Sequence, residues 1–340
     1  MTRRTLVIVP VVLVLAITTG CGSSARTATS EVKVVSPHTP TGPLQLAAFD
    51  DGVGAVATGL AAPAWREPGA MAAPDGSAVF SIRSGENGAA RLVRLAPRTG
   101  AEMSAWSVPV GLVVDAVAPG GKWVALTDRG PGYGSQGRST TDLVIFDTAA
   151  GAVTHRATLT GDVQPEAFSV DGRHVFVLHY FSGYYRVQTL DLSAASDELY
   201  DTIDRDKTLP PEDMHGHAIH GVMSADHTLL ATLYRNPGDN DEPAFVHVLD
   251  LADSWSYCAD LPAPFGTGAA GTDAIELTAN DTVVVAANGT DRLAEIHIDA
   301  VHTPGNSAVP VAFRSGSITA PPAEFRALTG FEYVIAPLPV

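Results

Sequence analysis

Three histidines lie close together in the chain, in the segment "HGHAIH" that contains His215, His217 and His220. In an extended backbone, residues two positions apart point to the same side, so His215 and His217 would present two imidazoles together. Neutral imidazole is a common ligand of Zn²⁺ and Cu²⁺, and Glu212 and Asp213 are adjacent. The spacing matches no established zinc signature. A metal site, a contact for a small ligand and an ordinary polar loop therefore all remain open.

Other motifs give weaker indications of chemistry. The acidic segment "NPGDNDEP" (236–243) suggests Ca²⁺, but the longer EF-hand ligand pattern is absent and turn formation explains the composition. The glycine-rich segment 130–141 lies between predicted strands without a following helix, which disfavours phosphate binding. The chain also lacks the G-x-S-x-G nucleophile motif. We therefore predict no catalytic residue and no cofactor.

The elements that position these residues come from a repeat. An apolar strand, a tight turn and a second apolar strand recur, with turn-forming residues that accept positive φ. The copies are "AMAAPDGSAVFSI" (70–82), "DAVAPGGKWVALT" (115–127), "EAFSVDGRHVFVL" (166–178), "GVMSADHTLLATL" (221–233), "IELTANDTVVVAA" (275–287) and a degenerate "EFRALTGFEYVIA" (324–336). Each copy except the last is followed by a second hairpin, so one unit contains four antiparallel strands.

The two ends of the chain complete one further unit. "LAAFDDGVGAV" (46–56) matches the second hairpin "LVIFDTAAGAV" (143–153) but has no first hairpin before it, whereas "EFRALTGFEYVIA" has no second hairpin after it. Pairing the two would remove exposed sheet edges. We therefore predict an all-β protein, a β-propeller over residues 44–340 with six four-stranded blades, one of them closed by N- and C-terminal strands. Seven blades remain the alternative.

The repeat resembles WD40/YVTN-type propellers that occur as exported lipoproteins of high-GC Gram-positive (actinobacterial) bacteria. The resemblance is carried by "SVDGRHVFVL", "APGGKWVALT" and "LVIFDTAAG". It implies a funnel-shaped scaffold that binds at one face, and it implies no particular reaction.

A second set of polar residues falls near the channel of such a propeller. Alignment of the units places four of them after second strands and four at the entry of first strands, so that together they could form a ring that orients a ligand by charge-assisted hydrogen bonds. The eight residues are Arg83, Arg129, Tyr180, Arg235, Asp115, Glu166, Asp273 and Glu324. The alternative is that strand ends are polar because they face water.

The first residues of the chain read as an export signal. Arg3 and Arg4 precede the apolar run Leu6–Ile17, and "TTGC" resembles a lipobox, in which Cys21 would be diacylated. We predict a signal peptide at 1–20, a flexible tether at 21–43 and a lipid anchor on the extracytoplasmic face of the cell membrane. A plain secretory signal remains possible, and the route, Sec or twin-arginine, stays open. With Cys21 lipidated, Cys258 has no cysteine partner.

Bulk composition limits the partners. The formal net charge of −16 repels a phosphate backbone and disfavours nucleic acid.

The predicted architecture leaves two candidate functions from different classes. The first is a binding or scaffolding module at the cell surface, with an unknown protein or small-molecule ligand. The second is a propeller enzyme, a lactonase or other hydrolase, with its site at the funnel.

Overall fold

Short strands joined by turns and loops dominate the described part of the computed structural model. It describes residues 42–130, 134–204, 213–236, 238, 241, 243–267, 273–287, 290–298, 311–318, 321 and 323–338. The chain divides into the units Met1–Pro37 and His38–Val340, of which only the second contains described residues. Cys21 and the predicted signal peptide therefore lie outside the described residues, as does the predicted tether up to residue 41. Among the described residues, no helix has both the length and the apolar character needed to span a membrane.

The described part of the chain contains twenty-five strands. The first thirteen are β1 (Gln45–Phe49), β2 (Gly52–Val56), β3 (Trp65–Pro68), β4 (Met71–Ala72), β5 (Val79–Ser84), β6 (Ala90–Leu95), β7 (Glu102–Val108), β8 (Val113–Val117), β9 (Trp123–Thr127), β10 (Thr140–Asp147), β11 (Ala152–Thr160), β12 (Asp162–Phe168) and β13 (His174–Tyr180). The others are β14 (Tyr185–Asp191), β15 (Leu199–Asp201), β16 (Ile203–Asp204), β17 (His217–Met223), β18 (Leu229–Arg235), β19 (Ala244–Asp250), β20 (Trp255–Leu261), β21 (Ala274–Leu277), β22 (Thr282–Ala286), β23 (Arg292–His297), β24 (Val311–Ser315) and β25 (Phe331–Pro337). Two 3-10 turns, Glu86–Gly88 and Pro119–Gly121, and the helix α1 (Ala323–Arg326) complete the described elements.

The strands form six sheets, which are the blades of a β-propeller. From the inner strand outwards, sheet B is β4-β5-β6-β7, sheet C is β8-β9-β10-β11, sheet D is β12-β13-β14-β15 and sheet F is β21-β22-β23-β24. Sheet E is β17-β18-β19-β20, with β16 added in parallel along its outer edge, and sheet A is β25-β1-β2-β3. The prediction of six blades is confirmed.

Sheet A joins the two ends of the chain, as predicted. Strand β25 pairs antiparallel with β1, with Leu46 opposite Ala336 and Ala48 opposite Tyr333. One detail of the prediction is wrong, because the segment that begins at Glu324 forms helix α1 instead of an inner strand. The segment "EFRAL" contains no β-branched residue and is rich in helix formers, which explains the difference. Phe325, 2% exposed, packs from this helix against sheet A.

The hydrophobic core lies between neighbouring sheets. Five clusters of buried side chains connect sheets A and B, B and C, C and D, D and E, and E and F. Central strands are buried on both faces, and every residue of β19 is buried. Apolar and β-branched side chains fit such positions. Each sheet is therefore packed against at least one neighbouring sheet.

Aspartate side chains start the turns of the second hairpins. Oδ1 of Asp147, Asp191 and Asp250 accepts a hydrogen bond from the backbone N–H two residues further on, at 2.8 Å in each case. Aspartate favours such Asx turns because its carboxylate can accept a hydrogen bond from the backbone two residues further on.

Candidate ligand-binding site at the mouth

Polar side chains converge at the end of the molecule where the second strands of sheets C, D and E finish, here termed the mouth. Arg129 follows β9 of sheet C, and Asp162 begins β12, the inner strand of sheet D. Nε of Arg129 donates to Oδ1 of Asp162 at 2.9 Å, and these side chains are 0% and 2% exposed. Arg129 also donates to the Gly134 carbonyl, and Asp162 accepts from the Gln136 N–H. The ion pair is therefore covered by the 134–136 segment.

Tyr180 extends this network on sheet D. The guanidinium of Arg129 lies over its ring, 5.1 Å from the centroid. Its hydroxyl donates to Oε1 of Gln164 at 3.2 Å and accepts from the Gly134 N–H at 3.1 Å. Burial raises the pKa of Tyr180 to about 12, so the phenol stays neutral. The structure thus brings Arg129 and Tyr180 together, as the ring prediction requires.

Asp115 and Glu166 occupy equivalent β-bulges on inner strands. The register of β8 with β9 shifts between Val114 and Ala116, and that of β12 with β13 shifts between Pro165 and Ala167. Both carboxyls therefore belong to the unpaired residue of a bulge, which re-aims a side chain out of the regular alternation. They lie within the strands, deeper than the strand entry at which the sequence placed them.

The Asp115 carboxyl is buried with one strong hydrogen bond. Oγ1 of Thr127 donates to Oδ2 of Asp115 at 2.9 Å. Burial raises the pKa of Asp115 to about 7, opposed by the Thr127 bond and by the charge of Arg129. The negative charge of Asp162 also raises the pKa of Asp115. Near neutral pH, this side chain can therefore hold or release a proton.

The Glu166 carboxyl lies between sheets D and E. Its Oε1 is 3.5 Å from Oγ1 of Thr232 and 3.4 Å from the hydroxyl of Tyr234, at the long limit for hydrogen bonds. Its Oε2 is shielded from solvent and accepts no hydrogen bond from any described residue. Burial raises the pKa of Glu166 to about 7, opposed by Tyr234 and Thr232. The surroundings of Glu166 therefore stabilise its negatively charged form poorly.

Arg235 and Asp273 are the predicted ring members near sheets E and F. Arg235 is the last residue of β18, and its Nε is shielded from solvent and has no acceptor within the described ranges. Asp273 precedes β21, is 8% exposed, and its Oδ2 accepts a hydrogen bond from the Gly266 N–H at 2.6 Å. Among the described ion pairs, none joins these two side chains.

Two predicted ring members lie elsewhere. Arg83 forms a bidentate ion pair with Glu67 at 2.7 and 2.8 Å and so ties sheet B to β3 of sheet A. Arg83 lies inside β5. Counted from the turn of the first hairpin, it comes one residue earlier than Arg129 and Arg235 do in their blades, so its side chain projects from the opposite face of its sheet. Glu324 is exposed on helix α1 instead of at a strand entry.

The three histidines have different surroundings. Nδ1 of His215 lies 2.9 Å from the Gly183 carbonyl, which assigns the proton to Nδ1. His217 is exposed, and His220 stacks on Tyr333 of β25 with ring centroids 3.8 Å apart. Burial lowers the pKa of His220 to about 4. Over the described ranges, which omit Glu212, no three His, Cys, Asp or Glu side chains group as metal ligands. Metal binding stays a prediction.

Sequence reasoning missed Asp162, Gln164 and Tyr234. Asp162 follows Gly161, which adopts φ 94, at the start of an inner strand. A carboxylate after a glycine at a blade entry was a usable signal, since Arg129 ends the preceding hairpin. Gln164 and Tyr234 lie within apolar strands, where nothing in the sequence separates them from core residues.

Comparison with known proteins gives only structural similarities at low sequence identity. No family model and no curated protein matches the chain. Among solved structures, TolB from Acinetobacter baumannii is 16% identical, with a TM-score of 0.42, over 76% of this chain and 61% of that one. A putative 6-phosphogluconolactonase from Bacteroides fragilis NCTC 9343 is 12% identical, with a TM-score of 0.42, over 83% and 85%. The periplasmic gluconolactonase PpgL from Pseudomonas aeruginosa is 13% identical, with a TM-score of 0.39, over 86% and 98%.

Proposed function

We propose that this chain is an exported, lipid-anchored β-propeller that binds a protein or small-molecule ligand at its mouth without transforming it. The observation that carries the proposal is the network of Arg129, Asp162, Tyr180 and Gln164, in which side chains from two blades hold one another. A network fixed in this way holds the strand ends around it rigid, and a preorganised site binds ligands with less loss of entropy.

The same network argues for binding over catalysis. The charged side chains of Arg129 and Asp162 already form hydrogen bonds with each other and with the 134–136 segment. A catalytic acid, base or nucleophile must instead reach the substrate. We therefore assign this network a positioning role in the wall of a binding site.

The anchor is tested by cell fractionation of a Cys21→Ser variant. We expect the variant to leave the membrane fraction, because the acyl chains on Cys21 are the proposed attachment. Cys258→Ser is the matched control, since it removes the only other cysteine and keeps the attachment position. Its distribution should match that of the parent. Retention of Cys21→Ser after a high-salt wash would contradict the anchor.

A hydrolase is the second candidate, and Glu166 is the observation that favours it. A carboxylate with a pKa of about 7 and one oxygen without a hydrogen bond has the properties of a general base. The purified protein can be incubated with δ-gluconolactone, with Glu166→Gln as the matched variant. The binding proposal expects both proteins to leave ring opening at the spontaneous rate. An acceleration that Glu166→Gln abolishes would establish the hydrolase instead.

A further inference from the structure

Arg129 and Arg235 occupy the same position in two blades. In each first hairpin, the residue before the turn donates its N–H across the turn: Ala118 to the Trp123 carbonyl, and Ser224 to the Leu229 carbonyl. Arg129 and Arg235 follow Trp123 and Leu229 by the same number of residues. Both guanidinium groups therefore leave corresponding points at the mouth.

Their partners differ. Arg129 has a carboxylate, that of Asp162 at the start of the next inner strand, at 2.9 Å. The corresponding acid for Arg235 is Asp273, at the start of β21, but one oxygen of Asp273 is taken by the Gly266 N–H. No ion pair or hydrogen bond of the Arg235 side chain is found in the described part of the chain, and its Nε is shielded without an acceptor. A buried donor without an acceptor is costly, so this position is incomplete as it stands.

Arg94 also has a shielded Nε, but an aromatic ring beside it accounts for this. Nε of Arg94 also lacks an acceptor, yet its guanidinium lies over the ring of Phe80, 5.9 Å from the centroid. A cation over an aromatic face is stabilised without a hydrogen bond. No ring takes this role for Arg235 among the described residues. The part of the chain that the structure describes therefore supplies no partner for Arg235.

The cross-strand neighbour of Arg235 is suited to the same partner. His217 of β17 pairs directly with Arg235, and directly opposed residues in an antiparallel pair project from the same face. His217 is exposed, so its imidazole is accessible beside the guanidinium. Both groups donate hydrogen bonds, and together they are matched to an anion.

We propose that Arg235 and His217 bind a carboxylate group of the ligand, which takes the place that Asp162 fills for Arg129. The inference rests on the proposed binding function and assigns its chemistry. A planar carboxylate can accept two parallel hydrogen bonds from the two Nη groups of Arg235, which, unlike Nε, are not shielded from solvent.

The test uses the purified full-length protein and sodium acetate as the probe. The readout is the Arg235 Nε–H resonance in ¹H–¹⁵N NMR, which is assigned by its absence in Arg235→Lys. We expect acetate to shift this resonance with saturation in the millimolar range, roughly 1–10 mM for so small a ligand. Sodium chloride at equal ionic strength should leave it unchanged.

Variants then locate the site by calorimetric titration with acetate. Arg235→Gln should weaken acetate binding by about tenfold or more, and His217→Gln by a smaller factor. Arg173→Gln is the matched control. It removes the same charge from a hairpin turn at the opposite end of the molecule, where Arg173 donates to Ser193 at 3.2 Å. Its acetate affinity should equal that of the parent.

Three results would overturn the assignment: an Arg235 resonance that acetate does not move, unchanged affinity in Arg235→Gln, or inorganic phosphate binding where acetate does not. These outcomes are separable from the broader proposal. If Cys21→Ser leaves the membrane and lactone is not hydrolysed, failure with acetate removes only the carboxylate assignment. If acetate binds but lactone is turned over, only the non-catalytic function fails.

Discussion

Two buried acids are the most unusual residues of the mouth. Asp115 and Glu166 sit at bulges, and each keeps a pKa of about 7 because burial penalises its charged form. Neither has an ion pair of its own among the described residues. Such groups reduce stability at neutral pH, and they persist where a site uses them.

Glu166→Gln should change how stability depends on pH. The unfolded chain releases this proton near pH 4.5 and the folded chain near pH 7, so the stability of the parent falls as pH rises between these values. The size of this fall is about 3 kcal/mol from this one group. The variant should lack it and be more stable than the parent at pH 8. Urea unfolding at pH 5 and pH 8 measures the difference, and equal slopes for parent and variant would contradict it.

The Arg129–Asp162 pair predicts a strong coupling. Arg129→Met leaves a buried carboxylate without its cation, and we expect a loss of about 3–5 kcal/mol in the free energy of unfolding. Adding Asp162→Asn should recover much of this loss, because the remaining amide is neutral. A double-mutant cycle in urea measures the coupling, and additive losses would show that the two side chains act independently.

What the sequence could reveal at this scale depended on register. Arg129, Tyr180 and Arg235 were found by aligning hairpins, because their spacing from the turn is constant. Arg83 was misplaced since a shift of one residue moves a side chain to the other face of its sheet. The state of Glu166 was beyond prediction, because it depends on Thr232 and Tyr234, which only the packing of two blades brings near.

At the scale of elements, hairpin turns lock one blade against the preceding one. Gly172 adopts φ +68 in the turn between β12 and β13, and an added Cβ would lie 2.2 Å from the Trp123 ring of sheet C. The corresponding Gly76 and Gly121 meet Ala336 and Ala78 of the preceding blades at 2.6 and 2.7 Å. The turn glycines visible in the sequence as hairpin signals thus also serve packing between blades, which the sequence did not indicate.

Gly172→Ala separates these two roles. Gly69 has the same φ of +68 but nothing within 4 Å of an added Cβ, so Gly69→Ala is the matched control for backbone strain. We expect the control to lose about 1–2 kcal/mol, and Gly172→Ala to lose about 1–3 kcal/mol more because Trp123 must move. Urea unfolding measures both variants, and equal losses would mean that the contact with Trp123 is dispensable.

At the scale of the whole molecule, the closed circle of blades depends on the pairing of the N-terminal strand β1 with the C-terminal strand β25. The N–H of Leu338 donates to the Leu44 carbonyl at 2.9 Å, next to the β25–β1 ladder. The sequence predicted this closure because each end carried half of a repeat. It did not predict helix α1, since the repeat pattern concealed the helical preference of "EFRAL".

Removal of β25 should disrupt the fold. Deletion of residues 331–340 exposes the edge of β1 and the core residues Leu46 and Ala47, so we expect loss of the cooperative unfolding transition. The matched control is a circular permutant that links Leu338 to Leu44 and opens the chain at Gly111, next to the exposed Val110. The permutant retains every strand and should unfold as sharply as the parent. A deletion variant that melts like the parent would contradict the closure.

The closure also determines how the molecule responds to tension. Strand β1, through which the N-terminal end enters the propeller, shares hydrogen bonds with β2 on one side and β25 on the other. A pull along this strand acts across the direction of those bonds and must shear both ladders at once, whereas an edge strand would peel one bond at a time. A chain that is held at its N terminus and pulled by a bound partner would therefore meet its greatest mechanical resistance at the first strand.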